Sequence, residues 1–396
     1  MRAKLVVPKQ EILFWITYFV YLVFSILQTT FYQKYLMGYY NLVYFSCAIM
    51  LLTQEIIKGG LTKRSFKGMI VFAVLVLMSM SINEKQIMIL LLLVFVGRDI
   101  EFERIAKCTV WITGVLIAFV ILSADLGIIN NYVSLSTGHS RDFLGFRYVL
   151  YAPAFITNII LLEIYTKKEQ IKYREILLWF VVSVWIFIRA YARLAFYLSV
   201  LMLVAALIMK HNPHILDKRR TVRVLMVTSF VWIGIIMLVL IATYNGTGWM
   251  QNLNEACSNR LLYGQQSLLT YGVEIFPQEI EWVGFGLDST GQHSIVNDNM
   301  LYVDCLYLKI LQRFGVVFYL IILGLLLLTA IQANKEKDYY LLLALFFIAI
   351  HFAIDDLYLY IQYNTFWFVI GSRLFGRMQG MIDRVQNNRN LAVNEF

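Results

Sequence analysis

The chain has 396 residues, 60% of them hydrophobic and only 15% charged, with a mean hydropathy of +0.68. That balance excludes a soluble globular enzyme, because apolar tracts of about 17–25 residues are long enough to cross a bilayer as helices. The net charge of +9 does not imply a nucleic acid partner. Most of the 34 Lys and Arg fall in short links on one side of the apolar tracts, the positive-inside pattern, and anionic head groups are a sufficient counterpart.

In chain order the apolar tracts predict about twelve spans: 12–29, 39–57, 68–82, 86–97, 109–129, 148–165, 175–189, 193–209, 224–243, 301–331, 339–354 and 357–371. The first is too long for a signal-peptide core and is read as a retained helix. The third and fourth are short for a ~30 Å hydrocarbon layer and read either as two helices or as a re-entrant pair. Four prolines and no alternating strand pattern favour helices over a barrel. Basic clusters at Lys58–Lys67, Lys167–Arg174 and Lys210–Arg223, and a basic tail from Arg373, place both termini in the cytoplasm. The chain is thus expected to be an all-α polytopic membrane protein, a single integral domain over 1–396. Residues 244–300 form its large extracellular loop, between helices nine and ten.

The span centres are almost bare of charge, which argues against an ion or proton path. Ionisable groups gather at the outer mouth instead. Arg189 and Arg193 are four apart, share a face on a continuous helix, and sit where a lipid phosphate lies; guanidinium groups bind phosphate bidentately and stay charged. Snorkelling or a bonded turn is the structural alternative. Arg260 precedes a stretch that reads as a surface helix to about Tyr271, and is a second phosphate ligand or an ordinary loop arginine. Asp304 and Tyr307 are three apart in a tract of helical spacing, so both can face one cavity, where a carboxylate serves as base toward a sugar hydroxyl. The alternative for Asp304 is pairing with Lys309 or Arg313. Asp298 has a similar claim. His293 reads first as a solvated loop histidine. Trp249 and Trp282 stack on sugar rings or seat the loop at the interface. Cys257 and Cys305 both fall on the outer side and could pair. No histidine spacing suits a metal, so neither metal nor cofactor is expected. The short inner loops leave no room for a nucleotide domain.

Four short motifs resemble the polysaccharide polymerase and O-antigen ligase superfamily, the Wzy-type polymerases related to the GT-C glycosyltransferases. They are Gly145-Phe146-Arg147, Ala192-Arg193-Leu194-Ala195-Phe196, Gly284 with Gly286, and Val303-Asp304-Cys305-Leu306-Tyr307-Leu308 through Gly315. Alanine replaces the family's serine at 192, and Cys305 replaces an asparagine for which Asp298-Asn299 offers an upstream alternative. Ligases carry a histidine at that point; its absence favours a polymerase. The resemblance implies inverting, metal-independent transfer on the outer face of a bacterial cytoplasmic membrane. The substrates would be undecaprenyl-diphosphate-linked repeat units, joined into capsular or exopolysaccharide, with a flippase and a chain-length regulator as partners. Arg147 and His293 then join Arg189, Arg193 and Arg260 as substrate-binding residues, and Asp304, Asp298 and Tyr307 are the catalytic candidates. The rival readings are a lipid-linked oligosaccharide flippase or other transporter, and a ligase-like transferase.

Overall fold

The computed structural model describes residues 11–136, 138–284, 286–288, 290–292 and 301–376. The fold is helical: α1 Ile12–Gln28, α2 Tyr40–Lys58, α3 Lys63–Ser81, α4 Lys85–Val96, α5 Phe102–Asp125, α6 Tyr151–Lys167, α7 Tyr173–Ala190 and α8 Arg193–His211 come first. Then follow α9 Arg220–Val227, α10 Ser229–Ala242, α11 Gly248–Ala256, α12 Arg260–Tyr271, α13 Leu306–Arg313, α14 Gly315–Lys335, α15 Tyr339–Ile354 and α16 Trp367–Ile370. Among the described residues five helices are long and apolar enough to cross a membrane: α2 with its preceding turn, α3, α5, α8 and α14. The α9–α10 pair passes the same test only when taken together, and is bent by 63° where one helix over 224–243 was expected. Within these helices some Ser and Thr hydroxyls turn back on carbonyls four residues earlier, as Ser79 does to Leu75 and Thr329 to Leu325, which satisfies those groups inside the helix.

Ion pairs sort the helix ends into two groups. At one end Arg104 meets Glu11 at 2.9 Å, Arg98 meets Glu55 and Lys58 meets Asp99 at 2.5 Å, and Arg373 meets Asp338 at 2.6 Å. At the other end Arg189 meets Asp125 at 2.9 Å and Arg313 meets Glu84 at 2.5 Å. The link from α7 to α8 lies at that second end, as does a small hairpin, β1 Val133–Ser136 and β2 His139–Asp142, which an all-helical reading did not contain.

Three tracts compare with the expected spans as follows. The pair over 68–97 is an antiparallel α3–α4 hairpin of 19 and 12 residues. The tract 357–371 is largely non-helical: a 3-10 turn, an irregular stretch and the four-residue α16. Irregular backbone is tolerated at depth when protein buries and bonds it. Here Asn158 of α6 donates from Nδ2 to Thr365 Oγ1 at 3.0 Å and accepts from Thr365 N at 3.3 Å, while Trp367 Nε1 donates to the Tyr358 carbonyl at 3.0 Å. Finally, the tract 301–331, whose second half was expected in the membrane with Gly315 allowing a bend, breaks at Gly315, whose φ of +81° separates α13 from α14.

The Gly315 break has a purpose visible in the hydrogen bonds. Val316 N and Val317 N, free donors at the start of α14, bond to the Glu274 and Ile275 carbonyls at 3.0 and 3.2 Å. The loop after α12 is thereby docked on the bundle. A Cβ at Gly315 would lie 2.6 Å from the Ile275 oxygen. Gly315→Ala is therefore expected to destabilise the fold by about 1–3 kcal/mol for the left-handed backbone alone, more for the displaced loop, and so to lower the melting temperature. An unchanged thermal transition would show that the loop is not held this way.

Candidate functional site

The residues that matter come from five separate segments at the second end of the bundle. The two-residue link between α7 and α8 needs a left-handed residue, and Tyr191 takes it with φ of +49°. This turn sets Arg193 as the first residue of α8, at the rim. The β hairpin pairs Ser134 with Arg141, so both side chains point the same way, and Arg141 Nε donates to the Ala190 carbonyl at 3.3 Å. Arg260 opens α12, where Asn259 in the left-handed region lets the chain turn. Asp304 lies in the extended stretch before α13. His351 and Asp355 end α15.

These side chains line one cavity of about 510 Å³, with Arg141, Arg193, Arg260, Asp304, His351 and Asp355 among its walls. Arg260 is buried; its Nη2 lies 3.2 Å from Asp304 Oδ2 and its Nη1 donates to the Cys257 carbonyl at 2.9 Å. Its Nε has no hydrogen-bond partner among the described residues. Burial first, then the neighbouring Asp356 and Asp355 carboxylates, push the Asp304 carboxyl up to about 6 against the opposing pull of Arg260. Burial, with repulsion from Arg193 and Arg260, holds the Arg141 guanidinium below its ordinary value. Three like charges are thus held near one another, and among the described residues only Arg260 has a carboxylate partner. Such a cluster suits an anion with several oxygens. Tyr148 and Tyr302 add aromatic walls, and Glu255 an exposed carboxylate at the rim.

Of the expected site residues, Arg193, Arg260 and Asp304 meet in this cavity. Arg189 does not line it. Although four residues from Arg193, it precedes the break at Tyr191, and its Nε donates to Asp142 Oδ2 at 2.7 Å while Nη2 reaches Asp125 Oδ1 at 2.9 Å. Arg147 is also turned away, donating to the Leu287 and Gln28 carbonyls at 3.0 Å each, where it ties the loop to the end of α1. Tyr307 is in the core: its hydroxyl donates to the Ala349 carbonyl at 2.9 Å, because Asp304 precedes the helix that carries Tyr307 and the two share no face. Lys309 pairs with Asp356 and Arg313 with Glu84, leaving Asp304 to Arg260. Cys257 and Cys305 are free thiols. His293 and Asp298 lie outside the described residues.

Arg189 has a different job from the one its spacing suggested. It braces the hairpin residue next to Arg141 against α5 and α7. Arg189→Ala is expected to weaken binding of a multivalent anion such as pyrophosphate in the cavity about tenfold through misplacement of Arg141, while Arg189→Lys recovers part of it. Equal loss in both variants would point to direct contact instead.

Arg141, His351 and Tyr148 carry the site without having been selected from sequence. His351 stacks on Tyr358 at 3.6 Å between ring centroids, with Nε2 3.8 Å from Asp355 Oδ2. Its Nδ1 has no hydrogen-bond partner among the described residues. No family model, curated protein or solved structure matches the chain.

Proposed function

We propose that this protein polymerises lipid-linked oligosaccharide repeat units on the outer face of a bacterial cytoplasmic membrane. The observation that carries the reading is the convergence of Arg141, Arg193 and Arg260 with Asp304 in one cavity at one end of a helical membrane bundle. The opposite end carries the basic links over Lys58–Lys67 and Lys210–Arg223, and the positive-inside bias then turns the cavity outward. Both termini are cytoplasmic in this topology, and the chain makes twelve passes, with the last one irregular.

The chemistry follows from the charges. The donor is a glycan on a polyprenyl diphosphate, whose phosphate oxygens the three guanidiniums hold. An acceptor sugar hydroxyl, on a second lipid-linked unit, attacks the anomeric carbon from the face opposite the diphosphate. The new C–O bond forms as the anomeric carbon–phosphate oxygen bond breaks, so configuration inverts. Asp304 takes the hydroxyl proton, and the departing diphosphate leaves with the bonding pair, its charge met by guanidiniums already in place. The donor bond is activated beforehand, so no nucleotide is needed.

The test is extension of a defined lipid-linked repeat unit by purified protein, without nucleotide and with EDTA present. Longer products are expected; their absence, or rescue by a divalent ion alone, would count against the mechanism. In a cell lacking the protein, single units are expected on the outer leaflet. Accumulation on the inner leaflet would instead indicate a flippase. One observation favours a second reading: His351 in the cavity supplies a histidine of the kind the ligases carry, though from a different position. Transfer to an acceptor other than a lipid-linked repeat unit would select that ligase-like reading.

A further inference from the structure

The segment after α12 is held at the head of α14, the helix Gly315–Lys335 that is long and apolar enough to cross a membrane. Its level relative to lipid follows from helix length. The 21 residues of α14 rise about 32 Å, close to the ~30 Å of a hydrocarbon core. Lys335 and Lys337 are exposed at the far end and mark one boundary of that layer, so Gly315 lies at the other. Val316 N and Val317 N bond to the Glu274 and Ile275 carbonyls, which brings residues 274–276 to the same boundary. Polar bonds fix α12 there as well. Gln312 of α13, fully buried, accepts from Ser267 Oγ at 2.9 Å and donates from Nε2 to the Ser267 and Gly272 carbonyls at 3.1 and 2.9 Å. The side chains left outside these bonds are apolar: Ile275 and Phe276 are 62% and 65% exposed, and Leu269 80%. Leu320 is 60% exposed one turn along α14 from Val316, the residue that holds the segment.

We infer that Ile275 and Phe276 dip into the acyl layer of the adjacent leaflet and moor the large loop on the bilayer. Exposed apolar side chains mark a docking surface, and their level at the head of a span chooses lipid as the occupant. Glu274, exposed between Val273 and Ile275, keeps the insertion shallow, because its carboxylate stays among the head groups. The mooring requires a membrane but no particular reaction. Its consequence reaches the cavity through α12, whose 12 residues run about 18 Å from Tyr271 back to Arg260. The depth of that buried guanidinium relative to lipid is then set by the bilayer itself, from the opposite end of its own helix.

Photolabelling of the full-length, unaltered protein tests the mooring. Nanodiscs holding a single copy are made of phosphatidylcholine that carries an aryl diazirine on its acyl chain, and labelled residues are mapped by mass spectrometry. Label on Ile275 and Phe276 is expected within about fivefold of that on Leu320, because all three meet the edge of the same hydrocarbon layer. A larger deficit, with Leu320 labelled, overturns the mooring. Absence of label from Leu320 overturns it too, since α14 then offers no lipid-facing boundary. Discs holding two copies should give the same pattern. Loss of label from Ile275 and Phe276 in those discs, with Leu320 still labelled, would show that a second copy covers this face and would overturn lipid as its occupant.

Discussion

Arg193→Ala is expected to abolish chain extension while leaving the protein folded and inserted. Arg193 is exposed at the cavity rim and has no carboxylate or carbonyl partner among the described residues, so its removal unpairs nothing. On the proposed mechanism, what it loses is charge aimed at the departing diphosphate. Removing one such donor typically costs about 10²–10³-fold in turnover, or ~3–4 kcal/mol of transition-state stabilisation. The loss should fall on kcat more than on affinity, because in the proposed complex Arg141 and Arg260 would still hold the ground-state anion. Arg193→Lys should recover only part of the rate, since an ammonium cannot make two parallel bonds to phosphate. Full-length polymer from the alanine variant, at wild-type melting temperature, would remove Arg193 from the donor site.

Asp304→Asn should have the second largest effect, and a different signature. The amide keeps the shape and the contact with Arg260 but cannot accept a proton from the acceptor hydroxyl. A loss of about 10²–10⁴-fold in turnover is expected, with lipid binding close to wild type. The wild-type pH profile offers an independent check. A base must be ionised to act, and the Asp304 carboxyl is pushed up to about 6. Activity should therefore rise with pH through about 6, and this limb should vanish in whatever residual rate Asp304→Asn retains. Stability runs the opposite way. The folded pKa lies above that of a free carboxyl, so the folded state holds its proton longer, and ionising Asp304 costs stability as pH rises from about 4 to about 6. Unchanged turnover in the asparagine variant would take the role of base away from Asp304.

The sequence was informative wherever a local signal matched the three-dimensional outcome. Apolar tract lengths marked helices in a membrane protein. Arg193 stood out because a guanidinium is costly at a membrane boundary, and Arg260 because it precedes a stretch that reads as a surface helix; both line the cavity. What stayed hidden were partners far along the chain. Arg189 shares the spacing of a helical pair with Arg193, yet the left-handed Tyr191 breaks the helix between them, and its true partner Asp142 is 47 residues away. Arg141 belongs to a four-residue strand whose hairpin is too short to announce itself. His351 carries no metal-ligand spacing to mark it in the sequence, and only the packing of α15 beside the cavity gives it a place at the site. Tyr307 was paired with Asp304 by spacing, but the helix starts one residue after Cys305, so the periodicity did not extend to Asp304.

The most direct measurement is a structure of the protein in nanodiscs with a lipid-linked repeat unit bound. The diphosphate is expected between Arg141, Arg193 and Arg260, at about 2.7–2.9 Å from their nitrogens, with Asp304 facing the sugar end. A diphosphate bound elsewhere, with all three arginines out of reach, would contradict the account.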